Sequence, residues 1–170
     1  MKSARFIHVL LAVVAVGLTT PVFAAPGQTQ DAARRLYDRV MDEYRQRDYH
    51  AALAGFRFFL ELHGKSGLAP SARYWLGECQ YRLGRYEDAM STFSDLVSYY
   101  PSNPKLAATT LKIGMTHTKL GQTDEARITL QRVLEEWPDS MEADVARKEL
   151  AKYGPSRERD WGQGEPGPGQ

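Results

Sequence analysis

"YWLGECQYRLG", residues 74–84, decides how this chain folds. Its apolar residues recur at helical spacing and Gly84 breaks the pattern. Gly77, however, stands inside the helix, where glycine costs about 1 kcal/mol relative to alanine. A glycine kept at that cost serves something outside its own helix. Gly77 and Gly114 are 37 residues apart, and so are Gly84 and Gly121, Ala89 and Ala126, and Pro101 and Pro138. One step further back lands on Ala52, Phe56 and Gly64, a weaker third copy in which glycine replaces the terminal proline. A fixed period of this length marks stacked supersecondary units.

Each unit reads as two helices and a tight turn. In the middle unit, Pro70 near a helix start precedes "SARYWLGECQYRL", Gly84 breaks it, "YEDAMSTFSDLVSYY" follows, and Pro101 stops it. The second helices carry one-sided apolar stripes with steps of three and four: Tyr49, Ala52, Phe56, Phe59 and Leu60; Tyr86, Ala89, Phe93, Leu96 and Val97; Ala126, Leu130, Val133 and Leu134. A lone pair of such helices cannot bury both faces, so neighbouring units must supply the core. Gly77 and Gly114 are expected where two helices of a unit approach most closely, opposite the small Ala89 and Ala126. The first unit has Val40 at the equivalent place and is expected to pack more loosely.

The start of the chain has a different character. "MKSAR" carries two positive charges, "VLLAVVAVGL" (9–18) is a short apolar run, and Val22 and Ala24 satisfy a small-residue cleavage rule. Residues 1–24 therefore read as a signal peptide cleaved near Ala24; the apolar run falls short of the roughly 18 residues of a membrane span. Removal of Lys2 and Arg5 leaves 20 basic against 21 acidic residues, a balance with no general attraction for nucleic acid or anionic lipid. A soluble mature protein without membrane insertion is expected. The single cysteine, Cys79, excludes an internal disulfide. Residues 25–30 read as a short linker and 31–153 as three units followed by an amphipathic helix, "MEADVARKELAKY" (141–153). That helix is expected to cover the last apolar face with Arg147, Lys148 and Glu149 outward. Residues 154–170 are rich in Gly, Pro and charge and read as a disordered tail, in which Trp161 is either an isolated aromatic or a short partner-binding anchor.

The pattern of Leu-Gly, a glycine turn, then Tyr, Ala, Phe and Pro at fixed offsets resembles the tetratricopeptide repeat. More narrowly, "YWLGECQYRLGRYEDA" (74–89), "YYPSNPKLAATTLKIG" (99–114) and the 37-residue period are similar to the periplasmic Tol-Pal-associated family (YbgF/CpoB type). The resemblance covers about residues 33–151. It implies an all-α, right-handed α-solenoid of tandem helix-turn-helix repeats with a C-terminal capping helix. It also implies a periplasmic protein–protein interaction adaptor linking the Tol-Pal system with peptidoglycan synthesis in cell division. Outer-membrane assembly lipoproteins of the BamD type have similar tandem repeats, so a scaffold or assembly factor for outer-membrane, secretion or pilus complexes is the alternative. The family's N-terminal coiled coil has no counterpart in "APGQTQ" (25–30), so trimerisation is not implied.

No catalytic residue, metal site or cofactor is expected. Zincin, phosphate-loop, nucleophile-elbow and cysteine-cluster motifs are absent from the sequence, and His50, His63 and His117 form no chelating pair by spacing. Cys79 reads as a buried, inert thiol. A peptidoglycan-acting enzyme is the remaining function of a different class. Binding is expected on the first helices of the units, which line the concave face. Their recurring positions form three columns: Tyr37, Tyr74 and Leu111; Tyr44, Tyr81 and Thr118; Arg45, Arg82 and Lys119, with Glu78 beside them. Aromatic rings next to a basic row suit a protein or peptide partner carrying carboxylates.

Overall fold

The computed structural model describes residues 26–154 as seven helices: α1 (Pro26–Arg45), α2 (Tyr49–His63), α3 (Ala69–Arg82), α4 (Tyr86–Tyr99), α5 (Leu106–Lys119), α6 (Thr123–Glu136) and α7 (Met141–Ala151). No strand occurs among the described residues. The chain is all-α, a tandem array of helical hairpins, as its periodicity predicts. The signal-peptide reading of residues 1–24 and the tail with Trp161 lie outside the described residues. One boundary differs from expectation: α1 begins at Pro26, so residues 26–30 are helical and not a linker.

Turn chemistry sets each hairpin. Gly84 (φ 74°) and Gly121 (φ 75°) take the left-handed conformation that closes the α3–α4 and α5–α6 turns. Arg47 (φ 66°) holds the same place in the first unit, at a cost of about 1 kcal/mol for a residue with a Cβ. Asp48 offsets part of that cost by capping α2, its Oδ1 accepting from the Ala51 N–H at 3.0 Å. Pro70 occupies the first turn of α3, where a missing N–H is harmless. Ser140 caps α7 by accepting from the Ala143 N–H at 3.1 Å.

Consecutive helices pack on one another along the chain, and α5 also meets α7. Inside a hairpin the glycines behave as sockets. A Cβ on Gly77 would lie 2.6 Å from Phe93 Cε1, and one on Gly114 would lie 2.9 Å from Leu130 Cδ2. The expected small-against-small meeting with Ala89 and Ala126 is corrected here, since each glycine receives a large residue one turn further along the second helix. The first unit reverses the device. Val40 is 2% exposed and fills the space left by Gly55, whose Cβ would stand 2.6 Å from Val40 Cγ2. The first unit is therefore closely packed, because its glycine has moved to the second helix.

Three apolar clusters follow the units. Phe56 and Phe59 are fully buried in the first, each worth about 2–3 kcal/mol of burial, and Tyr37 packs edge-on to both rings. Trp75 packs on the first cluster and on the second, around Phe93 and Leu96, and so joins the two units. The third gathers Leu111, Leu130, Val133 and Ala146 under α7, which serves as the expected cap. Arg147 and Lys148 point to solvent as expected, but Glu149 is largely buried beside Tyr81 and pairs with Lys152 at 2.7 Å.

Candidate functional site

Side chains bridge the odd-numbered helices directly, which makes α1, α3, α5 and α7 the inner layer of the array. At its centre stands Glu78, with a side chain only 3% exposed. Tyr44 Oη of α1 donates to Glu78 Oε1 at 3.3 Å, Arg82 Nε donates to the same oxygen at 3.0 Å, and Lys112 Nζ of α5 lies 2.6 Å from Oε2. A carboxylate removed from water needs such partners, and these come from three successive hairpins. The Lys112 side chain is 15% exposed, and its ammonium also sits 5.1 Å from the centroid of the Tyr81 ring. The hydrogen bond to Glu78 raises the Arg82 pKa. Burial, then the Glu78 charge, raises the phenols of Tyr44 and Tyr74; burial, then Tyr86, pushes Tyr81 up to about 12. All three phenols keep their protons at neutral pH and remain hydrogen-bond donors.

The three expected columns have different fates. In the first, Tyr37 and Leu111 are largely taken up by the cores, and Tyr74 is buried against Trp75 and Phe93. In the second, Tyr44 contacts Trp75 at 4.8 Å between centroids, Tyr81 stands edge-on to Tyr86, and Thr118 hydrogen-bonds the Tyr153 hydroxyl. The third is the basic row. Arg45 pairs with Asp42 at 2.6 Å and Arg82 with Glu78, so two of its three cations already hold carboxylates of their own helix. Lys119 remains exposed.

The structure adds an apolar opening that the columns do not contain. A shallow pocket of about 140 Å³ lies between α3, α5 and α7, with Tyr74, Ala108 and Leu111 as its floor and Met141, Val145, Lys112 and Glu142 around it. Met141 is 81% exposed and Val145 also reaches solvent. Lys105, just before α5, places its ammonium 5.4 Å from the Tyr74 centroid and 5.7 Å from that of Trp75. Stepping by 37 residues missed the α7 side of this pocket because two residues separate Pro138 from α7, whereas four separate Pro101 from α5. That shorter connection was the available signal.

Cys79 is fully buried. Burial, then the neighbouring Glu78 charge, pushes its thiol up to about 12. The folded value lies above the roughly 8.5 of a free thiol, so this group's contribution to stability is complete below about pH 8.5 and is lost as pH rises toward 12. Ellman's reagent at about pH 8 is expected to react with the native protein at least roughly a hundredfold more slowly than with the urea-unfolded chain. Equal rates would place the thiol at the surface. His63 leans on the Phe59 ring, His117 pairs its Nδ1 with Gln122, and His50 faces solvent. Among the described residues no three His, Cys, Asp or Glu side chains gather as a metal site, and no helix is long and apolar enough to cross a membrane.

Comparison with known proteins agrees with this architecture. Among solved structures, the Arabidopsis OM64 TPR domain superposes with a TM-score of 0.62 at 17% identity, covering 74% of this chain and 98% of that one. The second TPR domain of human RPAP3, solved with an HSP70 peptide, gives 0.58 at 17% identity, covering 75% and 97%. The Yersinia enterocolitica type III secretion chaperone SycD, solved with a peptide of the translocator YopD, gives 0.60 at 17% identity, covering 72% and 88%. These likenesses concern the fold. The Protein CTR9 homolog of Arabidopsis thaliana is 37% identical over 67 residues, 39% of this chain, and the match spans only 6% of that protein's length. Family models described as tetratricopeptide repeat match residues 37–104 and 109–140, together more than half of the chain. With its hairpins, glycine sockets and inner layer of bridged helices, the chain belongs to the tetratricopeptide-repeat proteins.

Proposed function

We propose that this protein is an exported, periplasmic adaptor that holds a segment of a protein partner against its inner layer and connects the Tol-Pal system with peptidoglycan synthesis during cell division. The observation that carries the binding role is the open pocket between α3, α5 and α7, with the Tyr74 ring in its floor and exposed Met141 and Val145 beside it, in a fold that is typically a non-catalytic interaction module. Solved neighbours of the same fold, human RPAP3 and SycD, hold peptides. The N-terminal run with its small-residue cleavage rule supports export, and residues 74–89 and 99–114, with their similarity to the Tol-Pal-associated family, support the division role.

Site-specific photo-crosslinking in cells tests this without disturbing the core. Val145 on the inner layer and Ile128 on the outer helix α6 both reach solvent and can each carry a benzophenone side chain. Position 145 is expected to capture a Tol-Pal or peptidoglycan-synthase component, position 128 is not, and periplasmic fractions should contain a chain beginning at Ala25. Crosslinks confined to position 128, or to cytoplasmic proteins, would defeat the proposal. Crosslinks to an outer-membrane assembly or secretion complex would favour the scaffold alternative.

A further inference from the structure

The centre of the inner layer is already electrically complete. Glu78 occupies Arg82 and Lys112 with its own buried carboxylate, and Arg45 is held by Asp42, so an incoming carboxylate finds these cations engaged. Charge without a partner among the described residues lies instead on Glu142, which lines the pocket, and on Lys105, which stands over the Tyr74 ring of its floor. Among the described residues Lys105 makes no side-chain ion pair or hydrogen bond, and its ammonium is held over Tyr74 and Trp75. Its position at the N-terminal end of α5 is unfavourable for a cation on helix-dipole grounds, so local helix stability does not explain it. Glu142, in the first turn of α7, lines the pocket itself and acts on the Tyr74 phenol. Between them is an apolar floor of Tyr74, Ala108 and Leu111, in a volume suited to one bulky aliphatic side chain.

Resting on the adaptor reading above, we propose that this pocket selects an internal partner segment bearing one bulky apolar residue flanked by an acidic residue on one side and a basic residue on the other. The acidic residue pairs with Lys105 and the basic residue with Glu142. The apolar side chain covers Tyr74 and Leu111 and shields Met141 and Val145 from water. Opposite charges on Lys105, at the start of α5, and Glu142, in α7, fix the direction in which the segment runs across these two helices. An acidic C-terminus is not the preferred ligand, because its carboxylates would compete with Glu78 for cations already paired at short distance.

The test uses the full-length chain and fluorescently labelled, end-capped peptides centred on Asp-Leu-Lys and on Lys-Leu-Asp, read by anisotropy. One order is expected to bind more tightly, and Leu→Ala in that peptide should weaken it about tenfold. The charge exchange Lys105→Glu with Glu142→Lys should reverse the preferred order. A carboxylate at residue 105 suits the start of a helix, and an unchanged helical CD signal would show that the variant folds. Equal affinity for both orders, or an order preference that survives the charge exchange, would overturn the proposal. So would tighter binding of an acidic peptide with a free C-terminal carboxylate, or of a peptide copying this chain's own residues 155–170. Failure of every capped peptide while position 145 still crosslinks an envelope protein would overturn this pocket assignment alone. Failure of both would overturn the adaptor reading as well.

Discussion

Gly77→Leu is expected to lower the stability of the protein by about 3 kcal/mol, a fall of roughly 10 °C in melting temperature, although leucine is much the better helix former. Propensity favours the substitution by about 1 kcal/mol; overpacking opposes it more strongly. The first atom added would stand 2.6 Å from Phe93 Cε1, and Phe93 is fully buried in the second cluster with no path outward. Either α3 and α4 separate or the ring leaves its rotamer. Thermal and urea unfolding measure the loss, and a double-mutant cycle assigns it. In a Phe93→Ala background, itself destabilised by about 3–5 kcal/mol, the leucine should cost little or restore stability, because the cavity receives it. A leucine variant that melts higher than the parent, or a cost unchanged by Phe93→Ala, would refute the socket.

Glu78→Leu is expected to cost about 3–5 kcal/mol in urea unfolding. The side chains are similar in size, so the loss is electrostatic. Lys112, only 15% exposed, would keep its ammonium without a counter-charge, and Tyr44 would lose its acceptor. Converting Lys112 to Met in the same chain should recover most of the loss, because an apolar pair replaces a buried ion pair with little net change. The exposed pairs at helical spacing, such as Arg34–Asp38 and Arg132–Glu136, are each worth under about 1 kcal/mol, and their removal should be nearly silent. If Glu78→Leu is silent too, the Glu78 cluster is no fastening between hairpins.

The contrast between these two residues shows how much could be read beforehand. Gly77 announced its role through its spacing to Gly114, because close approach of the two helices excludes a Cβ at the same place in both of those units. The residue it receives could not be named, since both Ala89 and Phe93 lie on the inward stripe of α4 and only their height along the helix separates them. Val40 pointed to looser packing for a related reason: the space between two helices can be left by either one, and in the first unit Gly55 leaves it. At the candidate site, the 37-residue offsets place Tyr44, Tyr81 and Arg82 on the inner layer with Glu78 beside them, but they carry no information on pairing. Lys112, four residues beyond Ala108 on the next hairpin, reaches Glu78 only because the hairpins stack at that particular height.

Periodicity in the chain was sufficient for the helices, their hairpin pairing and the number of units, because each depends on neighbours within 37 residues and on the preferences of single residue types. The charge balance of the inner layer and the pocket beneath Met141 and Val145 depended on side chains from three hairpins meeting at one level. That level follows from the rotation between successive units and from the shortened connection before α7, which arise from packing across the array and have no counterpart in any local stretch of sequence.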